Sequence, residues 1–213
     1  QEASKILSRI KSVWPQKTML AGGAHVANYI DDIKNEEWDY LIRGDGERDI
    51  IRILKGEAKE RILNDVLIRE DLKQIPKPDR MGRREFLERH HYELKPGNKS
   101  TVLIVGRGCP LGCGFCASAR STTRWHDVSL TKEELLDIKN LGYKGFYIPD
   151  DLFAINLDKI RPYLDAIKES GLFFRCNAHA RFMTDEFAAA LKDAGCYEMS
   201  FGAESGSQTI LDT

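Results

Sequence analysis

The chain has 213 residues, 42% hydrophobic and 31% charged, enough apolar material for a packed core and a composition that argues against wholesale disorder. Its 32 Lys and Arg against 33 Asp and Glu leave a formal charge of −1, so there is no electrostatic case for nucleic acid or an anionic membrane as partner. No apolar run approaches the roughly 20 residues that span a bilayer, and the opening segment has no apolar secretory core; a cytoplasmic location is the expectation.

In chain order, Lys5–Trp14 has helical spacing, and Lys17–His25 (KTMLAGGAH) reads as a short strand ending in a Gly-Gly turn. Tyr40–Arg43 reads as a buried strand before the turn Gly44-Asp45-Gly46, and Glu47–Lys55 as a helix with Ile50, Ile51 and Leu54 on its apolar face. Strands alternating with helices predict a parallel α/β sheet, and two strands are too few to make one. The chain opens on Gln1 and stops at Thr213 in what reads as the first turn of a helix, so a piece of a longer protein is expected. Residues 71–100 read as a linker, interrupted by Pro76, Pro78 and Pro96 and heavily charged from Arg80 to His91.

From Thr101 the pattern changes. Thr101–Gly108 (TVLIVGRG) is an apolar strand, and Thr131 with Glu134 forms a capping box opening a helix that ends near Leu141-Gly142. Gly145–Asp151 is a second strand, followed by a helix over Leu157–Glu169 that contains Pro162. Leu172–Phe182 is a third strand, with a helix over Thr184–Ala194 closed by Gly195. Glu198–Ser205 is a fourth, with a helix beginning again at Ser207. Four strand–helix units in succession predict part of a (β/α) barrel, whose chemistry sits at the C-terminal strand ends.

The cysteines carry the sharpest signal. Cys109, Cys113 and Cys116 fall within eight residues, with Cys176 and Cys196 far downstream. An odd, clustered count is a poor disulfide framework and points to metal or redox chemistry. The spacing is C-x3-C-x2-C in Arg107-Gly-Cys-Pro-Leu-Gly-Cys-Gly-Phe-Cys116. Three thiolates on a tight loop can hold three irons of a 4Fe–4S cluster and leave the last iron open to a substrate. A zinc loop is the competing reading, but zinc takes four ligands, usually as two separated pairs, and no partner pair is evident. Cys176 and Cys196 read as packed thiols.

This loop, with aromatic Phe115 before the last cysteine, resembles that of the radical S-adenosylmethionine (SAM) superfamily. The resemblance implies a 4Fe–4S cluster on Cys109, Cys113 and Cys116, SAM chelated to the open iron with Phe115 beside it, and reductive cleavage to methionine and a 5′-deoxyadenosyl radical. Tyr147–Phe153 (YIPDDLF) is similar to the segment after the second barrel strand in cobalamin-associated members, which implies Asp150 or Asp151 near the methionine amino group. Arg175–Arg181 resembles the third-strand segment, with Arg181 at the position of a frequent arginine. Gly202-Ala-Glu-Ser-Gly206 resembles a fourth-strand element beside SAM, which implies Glu204 and Ser205 as contacts.

In the first half, Ala21–His25 and Asp39–Glu47 resemble the last two strand units of a cobalamin-binding domain, where the Gly-Gly turn, here Gly22-Gly23, lies near the nucleotide tail of cobalamin. The cobalt-ligand motif D-x-H-x-x-G is absent, and His25 follows the wrong strand to replace it. The implied organisation is α/β throughout: residues 1–70 form the tail of a Rossmann-like cobalamin-binding domain, 71–100 a linker, and 101–213 four of the six units of a radical SAM barrel. The implied cofactors are a 4Fe–4S cluster, SAM and cobalamin. The implied partners are a small-molecule substrate of unknown identity and a low-potential electron donor such as flavodoxin or ferredoxin. The implied reactions are cobalamin-dependent methyl transfer, rearrangement or cyclisation. A methylthiotransferase is an alternative, though that family carries three further cysteines in its N-terminal domain and this chain has none before Cys109. A non-catalytic iron–sulfur or zinc protein is another.

Overall fold

The apolar runs become strands of two separate parallel layers, in a computed structural model that describes residues 2–67, 72–80 and 92–211. The chain divides into two units, one built chiefly on residues 1–71 and the other chiefly on 72–213.

The first unit runs α1 (Glu2–Val13), β1 (Leu20–Gly22), α2 (Ala24–Asn28), β2 (Tyr40–Ile42), α3 (Glu47–Leu54) and β3 (Ile62–Leu63). The strands pair in parallel in the order β1-β2-β3. A small core of Leu7, Val26, Trp38 and Leu41 lies between the sheet and its helices. The two-residue β3 is too short to announce itself by periodicity. The α3 face expected to pack is turned outward: Ile50, Ile51 and Leu54 are exposed, and Asp49 is the buried residue of the helix. Asp49 accepts hydrogen bonds from the Arg52 guanidinium at 3.1 Å and the Asp65 N–H at 3.1 Å. With Asp45 accepting from Leu67 N–H at 2.8 Å and Arg48 gripping the Asp65 carboxylate, the Gly44–Asp49 turn clasps the segment after β3.

The sheet of the second unit has the strands β4 (Tyr92–Lys95), β5 (Asn98–Val102), β8 (Gly145–Ile148), β9 (Phe173–Ala178) and β10 (Cys196–Phe201). Helices α4 (Val128–Asn140), α5 (Leu157–Ser170), α6 (Asp185–Asp193) and α7 (Gln208–Leu211) follow β5, β8, β9 and β10 in turn. The five strands lie in the order β10-β9-β8-β5-β4. The last four in sequence are parallel neighbours in sequence order, the grammar of a barrel segment. The end of the segment read as a linker belongs to this sheet, because β4 and β5 pair as an antiparallel hairpin. Residues 81–91 of that linker lie outside the described residues.

Alternation decides which face packs. Phe174, Cys176 and Ala178 of β9, with Phe146 and Ile148 of β8, point into a core shared with Leu135, Ile138, Ile160 and Ile167 of the helices. Phe173, Arg175, Asn177 and Tyr147 therefore occupy the other face, and they are only partly buried. The helices start at side-chain caps: Asp127 accepts from Ser129 N–H, Asn156 from Lys159 N–H and Thr184 from Phe187 N–H. The cap of α4 is thus Asp127, not Thr131. Thr131 lies inside the helix, and Glu134 is buried in an ion pair at 2.9 Å with Arg80. Helix α5 runs through Pro162, which sits early enough that the interruption is confined to its first turns.

Candidate functional site

Beyond β5 the backbone continues into β6 (Gly106–Arg107), which pairs antiparallel with β7 (Arg124–Trp125). This two-stranded ribbon is the root of the cysteine loop. Past it the loop closes on itself at a second level. Cys109 N–H donates to Ser121 Oγ at 2.8 Å, Ser121 N–H to the Cys109 carbonyl at 2.9 Å, and Arg120 N–H to the Leu111 carbonyl at 2.7 Å. Ser121 Oγ also donates to the Ser118 carbonyl at 2.6 Å. Gly108 has φ +88°, and a Cβ there would strike the Thr122 carbonyl, so glycine is required for the neck to close. Ser121 gave no sequence signal, since a serine in a polar loop is common and its partner lies twelve residues upstream.

None of the five cysteines is paired in a disulfide, and Cys109 and Cys113 are partly exposed and Cys116 exposed. Among the described residues no group of three or more His, Cys, Asp or Glu side chains is arranged to hold a metal ion. The fit to an iron–sulfur cluster therefore rests on the donor set: three thiols outside any disulfide, on one loop whose ends are tied by backbone and serine hydrogen bonds. Phe115, between the last two cysteines, is 72% exposed. The remaining cysteines lie elsewhere, with Cys176 buried in the helix-side core and Cys196 packed against that core.

The strand ends distribute the other candidates. Asp150, just after β8, is buried, and both its carboxylate oxygens are committed to backbone: Val105 N–H donates at 3.1 Å and Gly106 N–H at 2.6 Å. These bonds tie the residue expected beside SAM to the strand that leads into the cysteine loop. Burial pushes its pKa up to about 8, against the pull of the two backbone donors and the Arg107 cation and with a small push from Asp151. Asp151 is exposed. Arg181 lies in a short helical turn after β9, its N–H donating to His179 Nδ1 at 3.1 Å. Its side chain is exposed and makes no ion pair among the described residues. Glu204 follows β10 with φ +59°, a left-handed backbone unusual for a non-glycine residue. Its side chain folds back over Gly202, where a Cβ would meet the carboxylate. Ser205 is partly buried, and its Oγ accepts from Ser207 N–H at 3.0 Å.

A polar row that the sequence did not single out runs across the open face of the sheet. Arg175 donates to Ser200 Oγ at 2.8 Å, lies 3.3 Å from the Glu198 carboxylate and stacks over the Tyr147 ring. Tyr147 OH donates to Asn177 Oδ1 at 3.2 Å, and Asn177 Nδ2 donates to the Asp150 carbonyl at 3.0 Å. Alternation of burial along β9 places Asn177 with Arg175 on the open face, and Tyr147 is the partly buried residue of β8 beside them. A cavity of about 460 Å³ lined by Ile75, Pro76, Arg80, Val102, Ile104 and Glu134 lies at the β5 edge and contains no candidate thiol or strand-end carboxylate. In the first unit, Gly22 and Gly23 form the β1–α2 turn, with Gly23 at φ +90° and open space above it. His25 faces Asp32 at 3.4 Å. No helix among the described residues is long and apolar enough to cross a membrane.

Residues 103–213 match the radical SAM superfamily. Along 99% of its length the chain is 28% identical to an uncharacterized methyltransferase of Pyrococcus horikoshii, covering 50% of that protein. It is 25% identical to the bacteriochlorophyllide d C-8(2)-methyltransferase of Chlorobaculum tepidum over 92% of this chain and 46% of the relative. It is also 25% identical to the anaerobic magnesium-protoporphyrin IX monomethyl ester cyclase of a Synechocystis strain, over 72% of this chain and 34% of the relative. The chain thus spans about half or less of the length of these curated relatives.

Proposed function

We propose that this chain, which belongs to the radical SAM superfamily, carries the cluster-binding and SAM-binding strands of an enzyme that begins a methyl transfer by reductive cleavage of SAM. The observation that carries the reading is the C-x3-C-x2-C loop with its tied neck, inside the segment that matches the family. When bound, a 4Fe–4S cluster and SAM together supply the one-electron chemistry that yields methionine and a 5′-deoxyadenosyl radical.

The residues divide that task. Cys109, Cys113 and Cys116 supply three thiolates and leave one metal position for the cofactor's amino and carboxylate groups. The β6–β7 ribbon and Ser121 hold the two ends of their loop together. Glu204, held in a left-handed conformation at the end of β10, offers a carboxylate to hydroxyl or ammonium donors of SAM, with Ser205 beside it. Strain of this kind concentrates at binding sites, which supports the assignment. Arg181, exposed and without an ion pair among the described residues, and the exposed Asp151 provide one charge of each sign at neighbouring strand ends. Phe115 supplies an apolar cover. A flavodoxin or ferredoxin is the proposed electron source, because the cluster needs a low-potential donor.

Methyl transfer is favoured by the names of the methyltransferase relatives, and the cyclase relative supports ring formation as a second reading. The Gly22-Gly23 turn, with its positive φ and open approach, supports a cobalamin tail at the end of β1. Anaerobic reconstitution of the protein is expected to give about four irons and four sulfides per chain, and SAM with a reductant is expected to release 5′-deoxyadenosine. One zinc and no iron by metal analysis would overturn the reading. Retention of added hydroxocobalamin through gel filtration tests the cobalamin proposal separately.

A further inference from the structure

We propose that Asp150 is a positioning residue for the cysteine loop: its carboxylate fixes the backbone of Val105 and Gly106, and Asn177 and Tyr147 fix Asp150 in turn. This inference rests on the reading that Cys109, Cys113 and Cys116 hold a cluster.

Gly106 opens the two-residue strand β6, and Cys109 follows it by three residues. Beyond Val102 the chain leaves the continuous ladder of β5, and Leu103 N–H makes its last bond to β8, to the Tyr147 carbonyl at 3.0 Å. The N–H groups of Val105 and Gly106 are then taken by Asp150 rather than by a strand. On the other side His126 N–H donates to the Val105 carbonyl at 2.9 Å, bringing in the β7 half of the ribbon. One side chain therefore replaces the missing ladder at the point where the backbone turns from barrel strand to loop. A buried carboxyl group whose two oxygens accept from two consecutive backbone donors defines the position and the orientation of that peptide.

Asp150 is itself held from the next strand. Asn177 Nδ2 donates to its carbonyl, and Tyr147 OH holds the Asn177 amide oxygen so that the amide nitrogen faces Asp150. The Asn177 carbonyl accepts from Ala154 N–H at 3.3 Å, which pins the same strand end to the chain beyond Asp150. The relay runs from Tyr147 through Asn177 and Asp150 to Val105 and Gly106. Through it β8 and β9, which carry the neighbouring strand-end candidates Asp151 and Arg181, set where the first thiolate stands.

The test compares wild type, Asp150→Asn, Asn177→Ala and a calibrator, Ile167→Val, which removes one methyl from the buried helical core and takes part in none of the relay hydrogen bonds. In metal-free protein, amide hydrogen exchange over residues 105–109 is expected to quicken about 5- to 10-fold in Asp150→Asn and Asn177→Ala, the fold-change of one lost hydrogen bond of about 1 kcal/mol, and to stay unchanged in Ile167→Val. After reconstitution, the two relay variants are expected to lose iron to a chelator faster than Ile167→Val at matched thermal midpoint, with a changed electron paramagnetic resonance spectrum of the reduced cluster. If Asp150→Asn does not fold, Asn177→Ala, whose side chain is only partly buried, decides. Unchanged exchange at 105–109 overturns the proposal whether or not iron binds. Equal iron loss in relay and calibrator variants overturns it too, as general destabilisation. Wild-type protein that takes up no iron overturns instead the functional reading.

Discussion

Glu204 allows stability and binding to be separated. Its φ of +59° places a non-glycine residue in left-handed backbone, at a cost of roughly 1–2 kcal/mol. Glu204→Gly removes that strain but frees the unfolded chain, which returns about 0.4–1 kcal/mol of the gain. The net effect on folding is therefore between about zero and about 1.6 kcal/mol in favour of the variant. Glu204→Gln keeps the shape and the strain and removes only the charge; at an exposed site this shifts stability by less than about 0.5 kcal/mol. Binding behaves differently. A carboxylate accepting charge-assisted hydrogen bonds from SAM contributes about 1.5–3 kcal/mol, so either variant is expected to weaken SAM about 10- to 100-fold at about 1.4 kcal/mol per decade. The assay is SAM affinity by equilibrium dialysis on reconstituted protein, with iron content and thermal midpoint measured on the same samples. Unchanged affinity at equal iron content would remove Glu204 from the site. A Glu204→Gly variant clearly less stable than wild type would refute the strain argument.

Three further outcomes are expected. Cys113→Ala loses the intact cluster while Cys196→Ala keeps it, because Cys113 lies in the tied loop and Cys196 packs against the helical core; iron and sulfide analysis distinguishes them, and equal loss would count against the ligand assignment. Glu134→Ala leaves the buried Arg80 guanidinium without its 2.9 Å carboxylate partner and is expected to cost about 3–5 kcal/mol in urea unfolding, whereas a surface pair such as Lys168–Asp193 is worth under about 1 kcal/mol. Asp150 also predicts a pH effect. Its folded pKa, about 8, lies above the unfolded value of about 3.9, so between those values the folded state holds the extra proton. Stability should then fall as pH rises through that window, by up to about 1.4 kcal/mol per unit. Unfolding midpoints at pH 6 and pH 8 measure the slope, which should be smaller in Asp150→Asn.

What the amino-acid sequence determined by itself is whatever is encoded by covalent spacing and short periods. The C-x3-C-x2-C loop is visible because its ligand set lies within eight residues, and the barrel strands are visible because alternation along Phe173–Ala178 separates a packed face from an open one. Helix ends were mostly readable for the same reason, as at Thr184, where cap and donor are three residues apart. The failures share a cause. Thr131 and Glu134 match a capping box, yet the tertiary fold gives Glu134 to Arg80, 54 residues away. The backbone donors to Asp150 are equally invisible to a local reading, since they lie 44 and 45 residues upstream. The apolar spacing of α3 predicts a packed face, and Asp49 is buried instead because its partner, Asp65 N–H, comes from the segment after β3. A buried charge must find its donors wherever the chain brings them. That juxtaposition is set by how strands order and helices cross over, and no local pattern along the sequence records it.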